Sequence, residues 1–455
     1  MNLPNYFIAD LPPGASLTAA MVSEACQTLK RNREKYVAHR STREMADILC
    51  GVAESWLDAA SPFRNLALEL GPAATRFSRA TLEAGIDSFF RRWTPENVNA
   101  LLTQELGHSK RLDEVASDPA EQRQGRGSIA TGPELAVHIA AGNLPDPAWM
   151  SLATGLLTRS AQFVKCASGT SLLPRLFAHS IYDAEPKLGA CLEIAEWRGG
   201  QETGLEQALF DEADLVTATG SDETLAAVRR VLPTRVRFLG YGHKVSFGYA
   251  AAGSLSGFQA KKTVAHAAAD VAAWDQQGCL SPHVIYVEHG GSVTAELFAE
   301  MLAAELDRRE ALQPRGTLSP EEAAAIASRR SFYEVRAAHS PDTRSWQSPG
   351  STAWTVVYEA DARFQASCLN RFIYVKGVVD LDEALRGADA IRGKVSTVGL
   401  AAPAEQREEM ARRLARWGAT RVCPLGRMQQ PPLTWRHDGR PALGDLVIWT
   451  DVENE

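Results

Sequence analysis

The spacing of apolar residues changes near residue 125 of the chain. Before that point, apolar positions recur every three or four residues, which predicts helices, most clearly in SLTAAMVSEACQTLKRNREKYVAHR. In TPENVNALLTQELG, Thr94 precedes a proline at the first helical position, a typical N-terminal signal. The polar stretch ASDPAEQRQGRGSIATGP carries turn residues and few apolar ones, so we expect it to be a linker.

Short apolar runs then alternate with helical segments. The predicted strands are ELAVHIAAGN, AQFVKCAS, ACLEIAEWRGG, DLVTATGS and the strand pair VRFLGYGHKVSFGYA. Strands that alternate with helices predict a parallel sheet covered on both faces. Ligands of such sheets bind beyond the carboxyl ends of the strands. The residues at that position are Asn143, Lys165 with Ser168, and Thr219, Gly220 and Ser221.

A second α/β unit is predicted from about Gly253. An alanine-rich helical segment, KKTVAHAAADVAAWD, leads to Cys279, and a strand over residues 283–288 follows. A thiol between a helix and a buried strand is either a core residue, which is the commoner case, or a nucleophile held by a rigid element. Helices and strands then alternate up to TRVCPLG, and a proline-rich tail ends in a strand-like run.

Composition narrows the class of protein. A chain of 455 residues exceeds the size at which single cores stop growing, so we expect two or more domains. A net charge of −7 argues against nucleic acid or an anionic membrane as the main partner. Seven scattered cysteines without CxxC indicate a reducing compartment and no structural metal. Without a signal-peptide pattern or a membrane-spanning apolar run, the protein is expected in the cytoplasm.

Several common motifs are absent from the sequence. No GxGxxG follows a strand, and no P-loop, HExxH or GxSxG occurs. No cluster of His, Asp or Glu has the spacing of metal ligands, so no metal is expected. These absences exclude several large enzyme classes. The features of the sequence that still have to be explained are a doubly wound unit and, after it, a unit that carries Cys279.

Five short motifs occur in order between Asn143 and Cys279: GNLP, FVKCAS, ATGS, GYGHK and QGC. Together they resemble the aldehyde dehydrogenase superfamily, which carries an asparagine, a lysine, a Thr-Gly-Ser turn, Leu-Gly-Gly-Lys and Gln-x-Cys in that order. Further segments resemble the bioluminescence-type (LuxC-type) fatty acyl-CoA reductases over most of the chain. These segments are TPENVNALLTQELG, KVSFGYA, WDQQGCLSPHVIYVE and RVCPLGRMQQPPLTWRHDGR.

The resemblance implies an α/β fold of the aldehyde dehydrogenase type and a division into domains. Residues 1–125 are expected to be the helical part of a cofactor domain, and residues 126–252 its doubly wound dinucleotide-binding part. Residues 253–427 are expected to be the catalytic α/β domain with the nucleophilic cysteine. Residues 428–455 are expected to be a tail that packs on the core or on a partner subunit. The thiol of Cys279 is expected to point into a cleft between the two domains.

The resemblance also implies roles for single residues. Cys279 attacks an acyl thioester, and the side-chain amide of Asn143 donates to the oxyanion. The residues implied in cofactor binding are Lys165, Ser168, Thr219, Gly220, Ser221 and Gly240. Ser168 stands where NAD-preferring relatives carry a glutamate, so NADPH is expected, with Lys165 on its 2′-phosphate and NADH left open. Each of three residues also has an ordinary structural alternative. Cys279 could be a core cysteine, Asn143 a turn residue and Lys165 a solvated lysine.

Two departures from the superfamily pattern concern the reaction. Gly240 stands where oxidising relatives carry the glutamate that activates water, so the acyl-enzyme is expected to escape hydrolysis. No glutamate occurs in ASCLNRFIYV, where the superfamily places the one that holds the nicotinamide ribose, and Asn370 is the candidate substitute. His243 replaces a motif glycine, either as a substrate contact or as a structural residue.

The expected activity is NADPH-dependent reduction of a fatty acyl thioester to the aldehyde, with the acyl group carried by coenzyme A or a carrier protein. One alternative is an NAD(P)-dependent aldehyde dehydrogenase that forms the acid, which Gly240 argues against. Another is a catalytically silent relative that binds acyl carriers. The expected assemblies are a homo-oligomer, either dimer or tetramer, and a complex with acyl-transfer enzymes.

Overall fold

The computed structural model describes residues 3–12 and 14–453. Its α-helices are α1 (Ala19–Tyr36), α2 (Thr42–Leu57), α3 (Pro62–Thr75), α4 (Arg79–Phe90), α5 (Pro95–Leu106), α6 (Pro119–Arg123), α7 (Asp146–Leu157), α8 (Leu172–Ala184), α9 (Pro186–Gly189), α10 (Thr203–Glu212), α11 (Asp222–Val231), α12 (Gly257–Ala272), α13 (Ala295–Leu312), α14 (Pro320–His339), α15 (Leu381–Gly387) and α16 (Ala404–Trp417). None of the helices in this described part of the chain is long and apolar enough to cross a membrane.

The strands form sheets of five, seven and two strands. They are β1 (Arg126–Thr131), β2 (Leu135–Ile139), β3 (Ala161–Cys166), β4 (Leu192–Glu196), β5 (Leu215–Thr219), β6 (Arg237–Tyr241), β7 (Val245–Ala250), β8 (Pro282–Glu288), β9 (Thr343–Gln347), β10 (Thr355–Glu359), β11 (Phe372–Val378), β12 (Val395–Ala401), β13 (Arg421–Pro424) and β14 (Ile448–Glu453). The predicted α/β class is confirmed.

The described chain divides into two compact units. Unit 1 comprises residues 86–242, the described residues up to Thr75 and those from Pro432 onward. Unit 2 comprises residues 76–85 and 243–431. The assignment of cofactor binding to the first unit and of catalysis to the second stays a prediction.

The five-stranded sheet of unit 1 has the order β4-β3-β2-β5-β6, and every neighbouring pair is parallel. All six residues of β3 are buried, as expected for a strand covered by helices on both faces. The strand order reverses direction next to β2, and ligands of such sheets bind outside the carboxyl ends at that point. Asn143 follows β2, Ser168 follows β3 and Gly220 follows β5.

Helix α5 begins and ends at residues whose types favour helix termini. The Thr94 hydroxyl accepts a hydrogen bond from the backbone N–H of Asn97 at 3.3 Å, so the predicted N-cap is confirmed. Gly107 ends the helix in the left-handed conformation, with φ 72°.

The stretch predicted as a linker is partly regular structure, so that prediction is wrong. It contains α6 and β1, and β1 pairs antiparallel with β14, Arg126 opposite Glu453 and Thr131 opposite Ile448. The partner strand lies at the other end of the sequence, where no local pattern indicates it.

Both strands predicted around GYGHK are present, but they do not pair with each other. β6 is an edge strand of the five-stranded sheet, whereas β7 lies inside the seven-stranded sheet. The chain passes from unit 1 to unit 2 between Gly242 and His243. An apolar alternation shows that a segment is extended, but it does not show which sheet the segment joins.

The seven-stranded sheet of unit 2 has the order β13-β12-β7-β8-β11-β10-β9 and is parallel except for β9. One of its faces packs against apolar side chains such as Val271 of α12 and Phe298 of α13. The other packs against side chains such as Tyr333 of α14 and Trp417 of α16. Central strand β8 is buried over nearly its whole length, so the residues just before it are attached to the most rigid part of the unit.

Candidate active site

Cys279 lies in the turn between a 3-10 segment, Ala273–Gln276, and strand β8. Its predicted place between a helix and a buried strand is thus confirmed, while its role as a nucleophile stays a prediction. The residue is partly exposed. Its carbonyl oxygen accepts a hydrogen bond from the Ser246 hydroxyl at 2.7 Å, and the backbone N–H of Thr397 donates to the same hydroxyl at 3.1 Å. The cysteine turn is therefore anchored to β7 and β12 as well as to its own strand.

Burial raises the thiol pKa of each of the other six cysteines. Burial raises the pKa of Cys50 to about 11. It raises the pKa to about 12 for each of Cys26, Cys166, Cys191 and Cys423. Cys368 is partly exposed, but burial raises its pKa as well. Because the thiolate is the nucleophile, these six thiols are mostly inactive near neutral pH. None of the seven cysteines forms a disulfide.

The backbone before the cysteine turn is left-handed over three successive residues that are not glycine. Trp274, Asp275 and Gln276 have φ angles of 50°, 49° and 65°. Such a conformation costs about 1–2 kcal/mol per residue, so the surrounding structure must hold it in place. The Trp274 ring packs edge-on against Phe77 with centroids 5.2 Å apart. A Cβ at Gly85 would lie 2.1 Å from the Trp274 ring, so only glycine fits there.

A second left-handed segment lies directly before β11 and is hydrogen-bonded to the residue that follows the first segment. Leu369, Asn370 and Arg371 have φ angles of 62°, 56° and 64°. The Gln277 side-chain amide donates to Asn370 Oδ1 at 2.8 Å. The Gln276 amide donates to the carbonyl oxygens of Pro282 and Phe372, at 2.7 and 2.9 Å. Asn370 is 6 % exposed, and its suggested contact with the nicotinamide ribose stays a prediction.

A buried ion pair joins the two left-handed segments, and we call it the Asp275–Arg371 clasp. Arg371 is 1 % exposed and Asp275 is 3 % exposed. Arg371 Nε donates to Asp275 Oδ1 at 3.0 Å, and Arg371 Nη1 donates to Glu310 Oε2 at 2.8 Å. Asp275 Oδ2 accepts the backbone N–H of Gly316 at 3.0 Å. Sequence reasoning missed this pair, because its two members lie 96 residues apart without any shared motif.

Asn143 lies in the exposed turn between β2 and α7 of unit 1. Pro145 precedes the first residue of α7, and Asp146 lies in its first turn. Asn143 is therefore placed at a carboxyl end of the parallel sheet, as predicted. Its role as an oxyanion donor stays a prediction.

Lys165 is the most unusual of the predicted cofactor residues. It lies on β3, is 5 % exposed, and has its ammonium 5.7 Å from the centre of the Trp197 ring. No described residue accepts a hydrogen bond from Nζ or pairs with it as an ion. Burial lowers the pKa of Lys165, and the charges of Glu206 and Glu196 oppose that shift. A Cβ at Gly199 would lie 3.2 Å from Nζ, so the glycine leaves space beside the ammonium.

Ser168 is exposed in the loop after β3, and a carboxylate from another strand lies against this loop. Glu196, the last residue of β4, accepts the backbone N–H of Gly169 at 2.6 Å and that of Ser171 at 3.1 Å. Sequence reasoning found no acidic residue at this place because it considered only the strand that carries Lys165. Both Glu196 oxygens are engaged by backbone donors.

The Thr219-Gly220-Ser221 turn joins β5 to α11. Ser221 is the N-cap of α11, and its hydroxyl accepts the backbone N–H of Thr224 at 3.2 Å. The backbone N–H of Gly220 donates to the carbonyl oxygen of Tyr241 at 3.1 Å. The turn thus places a helix N-terminus at the carboxyl end of the sheet, an arrangement that favours negatively charged groups.

Gly240 lies within β6, opposite Ala218 of β5. Its carbonyl oxygen accepts a hydrogen bond from Arg440 at 3.3 Å. A Cβ at this position would lie 3.0 Å from the Phe238 ring and 3.1 Å from Leu225 of α11. A longer side chain here would therefore have to displace one of these neighbours.

His243 is exposed and begins the second part of unit 2. Burial, together with the nearby His243, lowers the pKa of His283 to about 4. The buried His283 ring is therefore neutral near pH 7, and its Nδ1 accepts the backbone N–H of Ser367 at 3.0 Å. This hydrogen bond ties β8 to the segment that leads to Asn370.

Comparisons with known proteins identify related sequences. The family model described as acyl-CoA reductase (LuxC) matches residues 37–449. The long-chain acyl-protein thioester reductase of Aliivibrio fischeri is 27% identical over 330 residues, which are 70% of this chain and 64% of that protein. Long-chain acyl-protein thioester reductase 2 of Photobacterium leiognathi is 24% identical over 324 residues, 70% of this chain and 63% of that protein. The match thus spans less than two thirds of the length of these relatives.

Solved structures confirm the predicted aldehyde dehydrogenase-like fold. A NAD-dependent benzaldehyde dehydrogenase from Corynebacterium glutamicum superposes with a TM-score of 0.69 at 14% identity, covering 96% of this chain and 91% of that chain. The delta-pyrroline-5-carboxylate dehydrogenase from Mycobacterium tuberculosis gives a TM-score of 0.68 at 16% identity, covering 96% of this chain and 83% of that chain. At these identities the likeness concerns the fold alone.

Proposed function

The chain belongs to the acyl-CoA reductase (LuxC) family, and on that premise we propose that it reduces a fatty acyl thioester to the aldehyde through an acyl-cysteine at Cys279, with NADPH as the reductant. The observation that carries the proposal is the partly exposed thiol in an anchored turn before the central strand of unit 2. The names of the curated relatives support an acyl thioester as the substrate.

The first step uses the chain's own thiol. The Cys279 thiolate attacks the carbonyl carbon of the thioester, a new carbon–sulfur bond forms, and the carrier leaves as a thiolate that takes up a proton. This exchange replaces one thioester by another, so it needs little free energy. The anchored turn supports the step, because a fixed nucleophile avoids the entropy cost of being positioned in each turnover.

Asn143 is the proposed oxyanion donor. Its side-chain amide N–H would stabilise the negative charge that develops on the carbonyl oxygen during attack. One such donor contributes roughly 3 kcal/mol to lowering a barrier of this kind. Its exposed position after β2 supports the assignment, since an exposed amide can reach a bound substrate.

The residues at the carboxyl ends of β3 and β5 fit a dinucleotide. The buried ammonium of Lys165 has no described acceptor, and a phosphate oxygen would satisfy its donors. The N-terminus of α11 favours a second anionic group. When bound, the nicotinamide supplies the hydride that reduces the acyl-cysteine. The carbon–sulfur bond then breaks, Cys279 leaves as the thiolate, and the aldehyde is released.

NADPH is proposed over NADH because Ser168, in the exposed loop after β3, carries no charge. The carboxylate of Glu196, which lies against this loop, is engaged by the backbone N–H groups of Gly169 and Ser171. Ser168→Glu is expected to lower the ratio of kcat/KM for NADPH to that for NADH by about tenfold, since a carboxylate near the 2′-phosphate is repelled by it. Initial rates with both cofactors measure the ratio. Ser168→Gln, of equal size but uncharged, is the control and should leave most of the ratio intact. An unchanged ratio in Ser168→Glu would show that this loop does not contact the 2′-phosphate.

Gly240 is proposed as the reason why the reaction yields aldehyde rather than acid. With acyl-CoA and no cofactor, Gly240→Glu is expected to release free fatty acid faster than the unaltered protein, because a carboxylate can activate water. The gain should lie well below the about 10²–10⁴-fold typical of a general base, since the new side chain is crowded by Phe238 and Leu225. Gly240→Gln is the size-matched control. If the unaltered protein already hydrolyses its acyl group as fast as it reduces it, the oxidising alternative is favoured.

The proposed function is tested by product analysis. Purified protein, saturated fatty acyl-CoA of several chain lengths and NADPH are expected to give one aldehyde for each NADPH oxidised. The same acyl groups on a carrier protein would show which carrier is preferred. Formation of the acid, or oxidation of NADPH without aldehyde, would contradict the proposal.

A further inference from the structure

A cavity of about 490 Å³ lies in unit 1, beside the edge strand β4. Its walls come from the described N-terminal segment, from α1 and from the residues around the start of β4. Glu193, the second residue of β4, lines it. The cavity is therefore at the amino end of the sheet, whereas the proposed cofactor residues follow the carboxyl ends. Its volume is in the range of small-molecule sites.

Glu193 lines this cavity, and one of its carboxyl oxygens has no described hydrogen-bond donor. The residue is 9 % exposed. Its Oε1 accepts the backbone N–H of Ile8 at 2.6 Å and that of Ile194 at 3.0 Å. No described residue donates a hydrogen bond to Oε2. A buried carboxylate ordinarily has all of its acceptor positions satisfied, so the second oxygen is available to a ligand.

The charged residues among the described ones that line the cavity are acidic. None of these described residues is basic, and Glu24 of α1 adds a second acidic group to Glu193. Burial raises the pKa of Glu193 to about 8, and the nearby Asp10 raises it further, whereas the two backbone N–H donors lower it. A buried carboxyl without a cationic partner is normally kept neutral. A cation bound in the cavity would stabilise the ionised form of this carboxyl.

The remaining walls suit the organic part of such a cation. The rings of Tyr6 and Tyr182 stack with centroids 3.9 Å apart, and both line the cavity with Met21 and Leu29. Aromatic faces attract ammonium groups, and aliphatic side chains accommodate a short hydrocarbon chain. We propose that this cavity binds a primary ammonium ion with a short apolar chain, the ammonium lying at Glu193 Oε2. The site is separate from the proposed reaction and does not depend on it.

The proposal predicts a specific dependence of binding on pH. The ammonium binds ionised Glu193, which forms only as the pH rises through about 8. The ligand itself stays charged up to about pH 10. The dissociation constant of n-butylammonium is therefore expected to be about tenfold lower at pH 9 than at pH 7, with release of nearly one proton on binding at pH 7. The other titratable groups that line the cavity are Glu24, Tyr6 and Tyr182. Near Glu193 lie Cys26 of α1 and Asp10, which forms ion pairs with Arg175 and His179.

The dissociation constant and the number of protons released are both measured by isothermal titration calorimetry. The full chain is titrated with n-butylammonium chloride in buffers of different ionisation heat. Glu193→Gln can still accept both backbone N–H groups, so it should fold, lose at least tenfold in affinity at pH 9 and lose the proton release. Glu24→Gln should keep the proton release. n-Butanol, the neutral analogue, should bind at least tenfold more weakly than the amine at pH 9. Equal binding of butanol, or proton release that persists in Glu193→Gln, would overturn the proposal.

A cavity-filling variant tests the location of the site. Ala25→Met, on the α1 wall, is expected to abolish n-butylammonium binding without changing Glu193. Circular dichroism and the reductase assay, which the proposal expects to be unaffected, check that the variant is folded. Unchanged binding in Ala25→Met would place the ligand elsewhere and overturn the proposal.

Discussion

Cys279→Ala is expected to abolish NADPH oxidation that depends on an acyl thioester, with a loss of at least about 10³-fold in kcat. The physical reason is that Cys279 is a partly exposed thiol in an anchored turn, whereas burial raises the pKa of each of the other six thiols. Binding of NADPH, followed by the quenching or transfer of its fluorescence, should stay near normal, because the proposed cofactor residues belong to unit 1. Steady-state rates at saturating substrate measure the loss.

The matched control is Cys368→Ala, which removes the only other partly exposed thiol. It should keep most of the activity. Retention of a tenth or more of the turnover in Cys279→Ala would refute the acyl-cysteine mechanism. A loss in Cys368→Ala as large as that in Cys279→Ala would show that the nucleophile has been assigned to the wrong cysteine.

Arg371→Met is expected to have the second largest effect. It removes one partner of the Asp275–Arg371 clasp and leaves a buried carboxylate, which costs about 3–5 kcal/mol of stability. It also releases the left-handed segment that carries the cysteine turn, and a displacement of about 1 Å at a reacting atom can cost about 10²-fold in rate. We expect kcat to fall by about 10²-fold at a temperature where the variant is still folded, with KM for the thioester changed much less.

Lys376→Met is the control for Arg371→Met. Lys376 lies on β11, the strand that begins directly after Arg371, and forms another buried ion pair, with Glu359 at 2.6 Å. The two variants should lose similar stability in thermal unfolding, but Lys376→Met should keep its kcat and the rate at which iodoacetamide alkylates Cys279. Equal losses of kcat in both variants would show that the Asp275–Arg371 clasp contributes stability only.

The sequence predicts the parallel sheets and the place of the cysteine because both depend on local patterns. Buried strands such as β3 and β8 are short segments rich in apolar residues, and the alanine-rich α12 lies shortly before the cysteine. The pairing of β1 with β14 and the separation of β6 from β7 depend on contacts between distant segments, so local alternation cannot indicate them. The wrong predictions of a linker before β2 and of a pair formed by β6 and β7 therefore have the same physical origin.

Two features of the candidate sites could not be predicted from sequence. Left-handed backbone is expected at glycine or asparagine, yet Trp274, Gln276 and Arg371 adopt it because tertiary contacts override the local preference. Glu193 looks like an exposed charge on an edge strand, yet it is buried and accepts the backbone N–H of Ile8 from the N-terminal segment. Residues whose roles depend on such long-range contacts carry no local motif.

Intact-protein mass spectrometry tests the central claim most directly. The protein is mixed with a fatty acyl-CoA without nicotinamide, and its mass is measured before and after NADPH is added. The account predicts a mass increase equal to one acyl group, located on Cys279 by peptide mapping, absent in Cys279→Ala and removed by NADPH with release of the aldehyde. An unmodified protein that still forms aldehyde, or an acyl group on any residue other than Cys279, would contradict the account.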